Sequence, residues 1–224
     1  TKRFLIPYKS LAKEKELGHG AFGVVYKGTW DGVEVAIKEL KERMDRKEEK
    51  RQFVNEAKRL CTLRPHPNVV QFYGVCIVLR YCKGGALEHY IYSKEEGRRE
   101  EMDIDTIHSI LLGAAKGIRH LHQQGIVHRD IAARNVLMTS KRIEEAEAVV
   151  SDFGLSREVK EGNGAQQTRS RFGPIRWMSP ENLERAEYSR KSDVFMWGVL
   201  VYEVVTRQVP WDGCTAMEIM RAMD

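Results

Sequence analysis

Two carboxylates and an amide are spaced so that they could handle a phosphate. His128-Arg129-Asp130-Ile131-Ala132-Ala133-Arg134-Asn135 places a carboxylate and an amide five residues apart in a polar stretch between apolar ones. Asp130 could accept a proton from a hydroxyl as it attacks phosphorus, and Asn135 could ligate a divalent metal. Asp152-Phe153-Gly154 adds a second hard oxygen donor after another apolar run. Mg²⁺ takes one or two protein oxygens beside phosphate oxygens and water, a demand that Asn135 and Asp152 fit.

Upstream lies a glycine string, Gly18-His19-Gly20-Ala21-Phe22-Gly23. Alone it is a weak signal, because dinucleotide-binding folds use the same GxGxxG spacing. There the last glycine opens a helix. Here Val24-Val25-Tyr26-Lys27-Gly28 follows, β-branched and closed by glycine, which predicts a strand–turn–strand hairpin over phosphates. Lys38, fifteen residues beyond Gly23 in Val35-Ala36-Ile37-Lys38, could pair with nucleotide oxygens. Glu56 is the candidate carboxylate to hold it. The bland alternatives are an exposed strand lysine and a solvent-facing helix glutamate.

The elements that must position these residues divide the chain. Val33 to Leu40 alternates as a half-buried strand, and Phe53, Ala57 and Leu60 recur at helical spacing until Pro65 and Pro67. Strand-like runs cover Val69 to Cys76 and Ile77 to Tyr81. From Ile104 a stripe of Ile107, Leu111, Ala114, Ala115, Ile118 and Leu121 predicts a long helix that Gly125 ends. Short strands are expected around Ile126–Val127, Val136–Met138 and Val149–Val150. Helix returns at Val194 to Val205. A small sheet with one helix thus precedes a larger helical part.

Composition limits the classes open to the protein. The chain has 224 residues and a net charge of +5, with no dense basic block, so a solvated surface is the better reading than a nucleic-acid interface. Cys61, Cys76, Cys82 and Cys214 form no CxxC pair, which suggests free thiols and a reducing, cytoplasmic setting. The most apolar stretch, Met196 to Val205, is too short to span a bilayer and carries Glu203.

Glycine loop, strand lysine, helix glutamate, HRD with its distal Asn, DFG, and Ser179-Pro180-Glu181 in place of Ala-Pro-Glu follow the order and spacing of eukaryotic protein kinases. The resemblance covers nearly the whole chain and is to the tyrosine-kinase-like and tyrosine kinase branches. It implies an α+β, bilobal fold: a small antiparallel N-lobe sheet with one helix (1–81) and a larger, mainly helical C-lobe (82–224), incomplete at its C-terminus. It implies ATP with Mg²⁺, or Mn²⁺ as an alternative, a protein substrate and an upstream or trans-activating kinase. By position, Lys38 holds phosphates and pairs with Glu56. Asp130 orients the acceptor hydroxyl, with Arg134 beside it in the catalytic set, and Asn135 and Asp152 bind metal. The ATP site takes in Gly18, His19, Gly20, Ala21, Phe22, Gly23, Val25, Ala36, Leu79, Tyr81, Cys82 and Leu137. Leu60, His128 and Phe153 match apolar-spine positions, and Asp193 matches the aspartate that anchors the catalytic loop.

Acceptor choice is mixed in the sequence. Ala132, where serine/threonine kinases usually carry lysine, and Pro174, where they typically place threonine, resemble tyrosine kinases. Yet residues 152–181 contain no tyrosine, and Thr168 and Ser170 are the candidate activating phosphosites, with Arg129 as the group a phosphate would neutralise. The expectation is serine/threonine or dual specificity, with strict tyrosine specificity and a pseudokinase scaffold as alternatives. A small-molecule phosphotransferase of related fold and a nucleotide-free interaction domain fit less well. Two departures from the family pattern stand out. Val75-Cys76 runs into Ile77-Val78 without a turn, leaving the hinge and adenine pocket in question. The chain also ends soon after Pro210-Trp211, which leaves Glu181 without its expected arginine and is expected to expose apolar surface.

Overall fold

A computed structural model describes residues 6–20, 23–39, 47–74, 77–92, 102–152, 155–158, 166–167 and 175–223. The N-terminal part is a five-stranded sheet in the order β1-β2-β3-β5-β4. Its strands are β1 (Leu11–Gly20), β2 (Gly23–Trp30), β3 (Val33–Glu39), β4 (Phe72–Gly74) and β5 (Val78–Arg80), with helix α1 (Lys47–Thr62) between β3 and β4. Asp31 and Gly32 both take positive φ between β2 and β3, the twist that a two-residue hairpin turn demands. Every pairing in this sheet is antiparallel, so directly opposed residues share a face. Val25 opposes Lys38, and Ala36 opposes Leu79, so these four project from one face. Val35, Ile37 and Val78 project from the other and are buried with Ile6 in a small core against Tyr26, Trp30 and Tyr73.

The link between β4 and β5 is as short as the sequence implies, and the strands pair nonetheless. Gly74 opposes Val78 and Phe72 opposes Leu79, each strand being cut to three residues. The turn closes through Ile77, fully buried at φ 44, a backbone state that β-branched residues rarely adopt. Its carbonyl still accepts from Lys38 N–H at 3.0 Å, and Leu79 keeps its place beside Ala36. Val75 and Cys76 lie outside the described residues.

The larger part is mainly helical. It comprises β6 (Gly85–Ala86), α2 (Glu88–Tyr92), α3 (Ile104–Gln123), β7 (Ile126–Val127), β8 (Val136–Met138), β9 (Ala148–Val150), β10 (Arg157–Glu158), β11 (Gln166–Gln167), α4 (Pro180–Arg185), β12 (Glu187–Tyr188), α5 (Arg190–Thr206) and α6 (Ala216–Met223). Helix α3 starts where Asp103 accepts a 2.7 Å hydrogen bond from Thr106 N–H. Its predicted stripe faces the main core, with Ala114, Ile118 and Leu121 buried. Gly113 and Gly117 let it lie against the backbone of residue 68 and strand β9: a Cβ on Gly117 would meet the Asn68 oxygen at 2.3 Å.

The α1–β4 segment is tied into this larger part. Val150 N–H donates to Asn68 O at 2.8 Å, Val70 N–H donates to Val150 O at 2.9 Å, and Asn68 Nδ2 donates to Ala148 O at 2.8 Å. On the far side, Val194, Phe195, Tyr202 and Val205 of α5 and Met217 and Met220 of α6 are exposed. Among the described residues no helix is long and apolar enough to cross a membrane, and Cys61, Cys82 and Cys214 are free thiols.

Candidate active site

The glycine string forms a hairpin, with no helix after it. Gly18 opposes Val25, His19 opposes Val24 and Gly20 opposes Gly23, while Ala21 and Phe22 at the tip lie outside the described residues. At Gly18 no atom lies within 4 Å of where a Cβ would stand, and no positive φ requires glycine. Neither packing nor backbone explains the residue there, whereas the close approach of a phosphate would.

Beneath this hairpin, Lys38 is buried on the inner face of β3. Its ammonium donates to Glu56 Oε1 at 2.8 Å and Oε2 at 3.0 Å, and reaches Asp152 Oδ1 at 3.5 Å. Burial alone would lower the lysine's pKa, but the Asp152 and Glu56 carboxylates outweigh it and hold Lys38 above its ordinary value. Burial also drives the Glu56 carboxyl upward, with Lys38 opposing that rise. Lys38 thus stays cationic with two carboxylates in reach.

Asp130 sits between His128 and the single helical turn at Ala133–Asn135. Asn135 Nδ2 donates to the Asp130 carbonyl and to Asp130 Oδ2, each at 2.7 Å, and Arg134 NH2 pairs with Asp130 Oδ1. Two acceptors on the amide nitrogen fix the Asn135 flip, which leaves its oxygen as the atom for a hard cation. Asp152 follows β9 at φ 59 with its side chain about half exposed. Amide oxygen and carboxylate are the donor chemistry that Mg²⁺ prefers, and two protein ligands suit a cation that draws the rest from phosphate and water.

Asp193, wholly buried in the first turn of α5, holds the loop from behind. It accepts from the backbone N–H of His128 and of Arg129, each at 2.8 Å, and its Oδ2 lies 2.8 Å from His122 Nε2. These bonds maintain Arg129 at φ 73. The Arg129 guanidinium stacks 3.7 Å from the Tyr188 ring centroid.

The structure therefore brings Lys38, Glu56 and Asp152 into one set and Asp130, Arg134 and Asn135 into a second; Ser151, next to Asp152, donates from its backbone N–H at 2.9 Å and its hydroxyl at 3.0 Å to the Asn135 carbonyl between them. Val25, Ala36 and Leu79 share the sheet face of Lys38, and Leu137 packs with Leu79 against the main core. Tyr81 and Cys82 follow β5. Burial raises the Cys82 thiol to about 11, so it is unreactive at neutral pH. Phe153, Thr168, Ser170 and Pro174 lie outside the described residues.

Sequence reasoning passed over Glu203 and Tyr92 as site residues and took Trp177 only as part of the stretch from Pro174 that resembles tyrosine kinases. Glu203 on α5 accepts from Tyr92 OH at 2.7 Å, Trp177 Nε1 at 2.8 Å and Ala133 N–H at 3.1 Å. The one signal was an acid inside the apolar run Met196 to Val205, which argued only against a membrane span.

Comparison with known proteins places similar chains on both sides of the acceptor question. The family model described as protein tyrosine and serine/threonine kinase matches residues 11–224. The chain is 41% identical over 214 residues to spermatocyte protein spe-8 of Caenorhabditis elegans, covering 89% of this chain and 40% of that protein. It is 35% identical over 221 residues to serine/threonine-protein kinase STY46 of Arabidopsis thaliana, covering 95% of this chain and 36% of that protein. It is 34% identical over 231 residues to the human tyrosine-protein kinase TXK, covering 99% and 41%. The chain thus spans about two fifths of the length of these relatives.

Proposed function

The chain belongs to the protein tyrosine and serine/threonine kinase family, and from that premise we propose that it transfers the γ-phosphate of ATP to serine and threonine hydroxyls of protein substrates, with tyrosine as a further acceptor. The family uses ATP and a divalent cation in general; Mg²⁺ is our assignment, with Asn135 and Asp152 as its protein ligands and Mn²⁺ as a substitute. The observation that carries the reading is Lys38, on the inner face of the glycine-hairpin sheet, joined to both Glu56 and Asp152.

In this reading, bound ATP with its cation supplies the phosphoryl group and spreads the charge that develops on its oxygens. The chain's own residues do the rest. The Gly18–Gly23 hairpin covers the phosphates, and Lys38, charged and fixed by Glu56, holds their oxygens. Val25, Ala36, Leu79 and Leu137 form the apolar walls for the base, with backbone groups near Tyr81 and Cys82 at its edge. Asp130, its carboxylate held by Asn135 and Arg134, orients the acceptor hydroxyl and takes its proton. Positioning and charge stabilisation supply most of the acceleration. We place the lobe boundary between residues 81 and 82.

Serine/threonine or dual specificity is supported by the lack of tyrosine in residues 152–181, since self-activation then needs a hydroxyl such as Thr168 or Ser170. The strand β11 ends at Gln167, opposite Glu187, next to the Tyr188 ring under Arg129. We assign the activating phosphate to Thr168 or Ser170, put there by this chain or by an upstream kinase, with Arg129 as the group it would neutralise. Thr168→Ala with Ser170→Ala should lower activity; unchanged turnover removes the assignment. Strict tyrosine specificity has its own support in Ala132 and Pro174.

The deciding experiment incubates the full-length protein with Mg-ATP and a mixed protein substrate, beside an Asp130→Asn control. Phosphosites are then mapped by mass spectrometry. Phosphoserine and phosphothreonine that fall at least about 100-fold in the control are the expected result. Phosphotyrosine alone overturns the acceptor assignment, and ATP binding with no control-sensitive phosphate favours a scaffold.

A further inference from the structure

His66 and His120 take no part in the mechanism above, and they meet where the chain between α1 and β4 rests on α3. Their rings stack with centroids 4.6 Å apart and planes inclined by 23°, and both residues are half-buried. A backbone group fixes where each ring keeps its proton. His66 Nδ1 lies 3.1 Å from the Asn68 amide nitrogen, which can only donate, so Nδ1 is bare and neutral His66 carries its proton on Nε2. His120 Nε2 lies 2.8 Å from the Arg64 carbonyl, which can only accept, so that nitrogen keeps its proton. A proton added to His66 must therefore enter at Nδ1 and end the bond from Asn68 N–H. The same Asn68 makes the join to β9, its carbonyl accepting from Val150 N–H and its amide nitrogen donating to Ala148 O. The surroundings oppose a positive charge on His66. From α3 come His120 and Lys116, while Arg64 of its own loop lines the same cleft, whose other lining residues are uncharged. Partial burial first, then His120 and Lys116, hold the His66 imidazole below the usual histidine range.

We propose that His66 is a pH-sensitive clasp: proton uptake at its Nδ1 frees the Asn68 amide, parts the stacked rings and loosens the join between the two parts of the molecule. An imidazole held below its unfolded value contributes stability that is complete above the unfolded pKa, about 6.5, and is lost as pH falls through the window beneath it. The clasp is therefore closed at neutral pH and opens in mild acid. Its effect on turnover rests on the kinase reading, in which the joined segments lead to the two carboxylates around Lys38. Glu56 lies on α1, just before the loop that His66 caps, and Asp152 lies two residues beyond Val150. Acidification should therefore lower phosphate transfer by loosening the parts that place these groups, with no titration in the site itself required.

The test follows the full-length protein from about pH 7.5 to about pH 5.5 beside His66→Asn. The Asn side-chain oxygen can still accept from the N–H two residues on, but it takes up no proton. By NMR of labelled histidine, His66 should carry its proton on Nε2 at neutral pH and titrate below the ordinary histidine range. Protection of the Asn68 and Val150 amides, corrected for intrinsic exchange, should fall on the order of tenfold across that range in the parent and hold level in His66→Asn. The ratio of parent to variant kcat/KM for a protein acceptor should fall with it. A His66 that titrates in the ordinary range overturns the proposal, as does a loss of protection that parent and His66→Asn share. If His66→Asn does not fold, His120→Phe carries the comparison, since it keeps a ring for the stack and removes a neighbouring charge. There the His66 titration should rise and the loss of protection shrink, and an unmoved titration contradicts the clasp. Protection is read without turnover, so a His66-dependent loss in a protein that transfers no phosphate upholds the clasp and fails the kinase reading instead.

Discussion

The ion pair of Lys38 with Glu56 shows why single residues matter here out of proportion to their number. Both groups are buried, and removing Lys38 strips Glu56 of its ion-pair partner, a loss of about 3–5 kcal/mol in comparable interiors, whereas removing Glu56 still leaves Lys38 near Asp152. Such a pair adds little stability over an apolar one and is kept for what the lysine can hold. Asp103 is the opposite case, an exposed carboxylate with a purely structural task. Hydrogen bonding from Thr106, side chain first and then backbone N–H, holds its carboxyl below the usual range. A depressed folded value means that the cap's contribution is complete above the unfolded pKa and fades as pH falls through the folded one. Asp103→Ala should therefore lower Tm at neutral pH, and the gap to the parent should close below about pH 4. Melting curves across pH test this, and a gap that persists in acid contradicts it.

At the scale of elements, the tightest fit is that of α3 on the segment around Asn68 and β9. A Cβ at position 117 would meet the Asn68 oxygen at 2.3 Å and Val150 Cγ2 at 2.8 Å, and the oxygen is backbone that already bonds Val150 N–H. Gly117→Ala should cost about 1–3 kcal/mol through overpacking, read as a fall in Tm. A variant that melts with the parent would show that α3 can shift without penalty. The helix itself was legible: its apolar stripe and its closing Gly125 both lie in local sequence, while its cap at Asp103 was passed over. Residues 126–127, 136–138 and 149–150 were also legible as strands, because short β-branched runs framed polar clusters. The β4–β5 link was half legible, since the missing turn was visible but the use of Ile77 at positive φ was not. Glu203 was not legible as part of any site. Its partners come from positions 92, 133 and 177, and only the packed fold brings these far-separated positions to one side chain.

At the scale of the whole molecule, the two parts are joined by the chain itself, by the hydrogen bonds from residues 68–70 to β9, and by the ligand site proposed between them. A ligand bound across both parts stabilises the native state by mass action, about 2.7 kcal/mol at a hundredfold excess over its Kd. Mg-ATP should raise Tm, and chelating the cation with EDTA should take back most of the rise. An equal shift with and without the cation would remove Asn135 and Asp152 as metal ligands. The bonds between residues 68–70 and β9 have a mechanical consequence. They fix the chain a few residues beyond the C-terminal end of α1 to the larger part, so that a tilt of α1 would have its fulcrum near Thr62. Glu56 lies about 9 Å along that arm at about 1.5 Å per residue. A tilt of about ten degrees would carry Glu56 about 1.6 Å on such an arm, enough to part a contact that now stands at 2.8 Å. The lever's geometry converts a small rotation of the helix into the making or breaking of one ion pair.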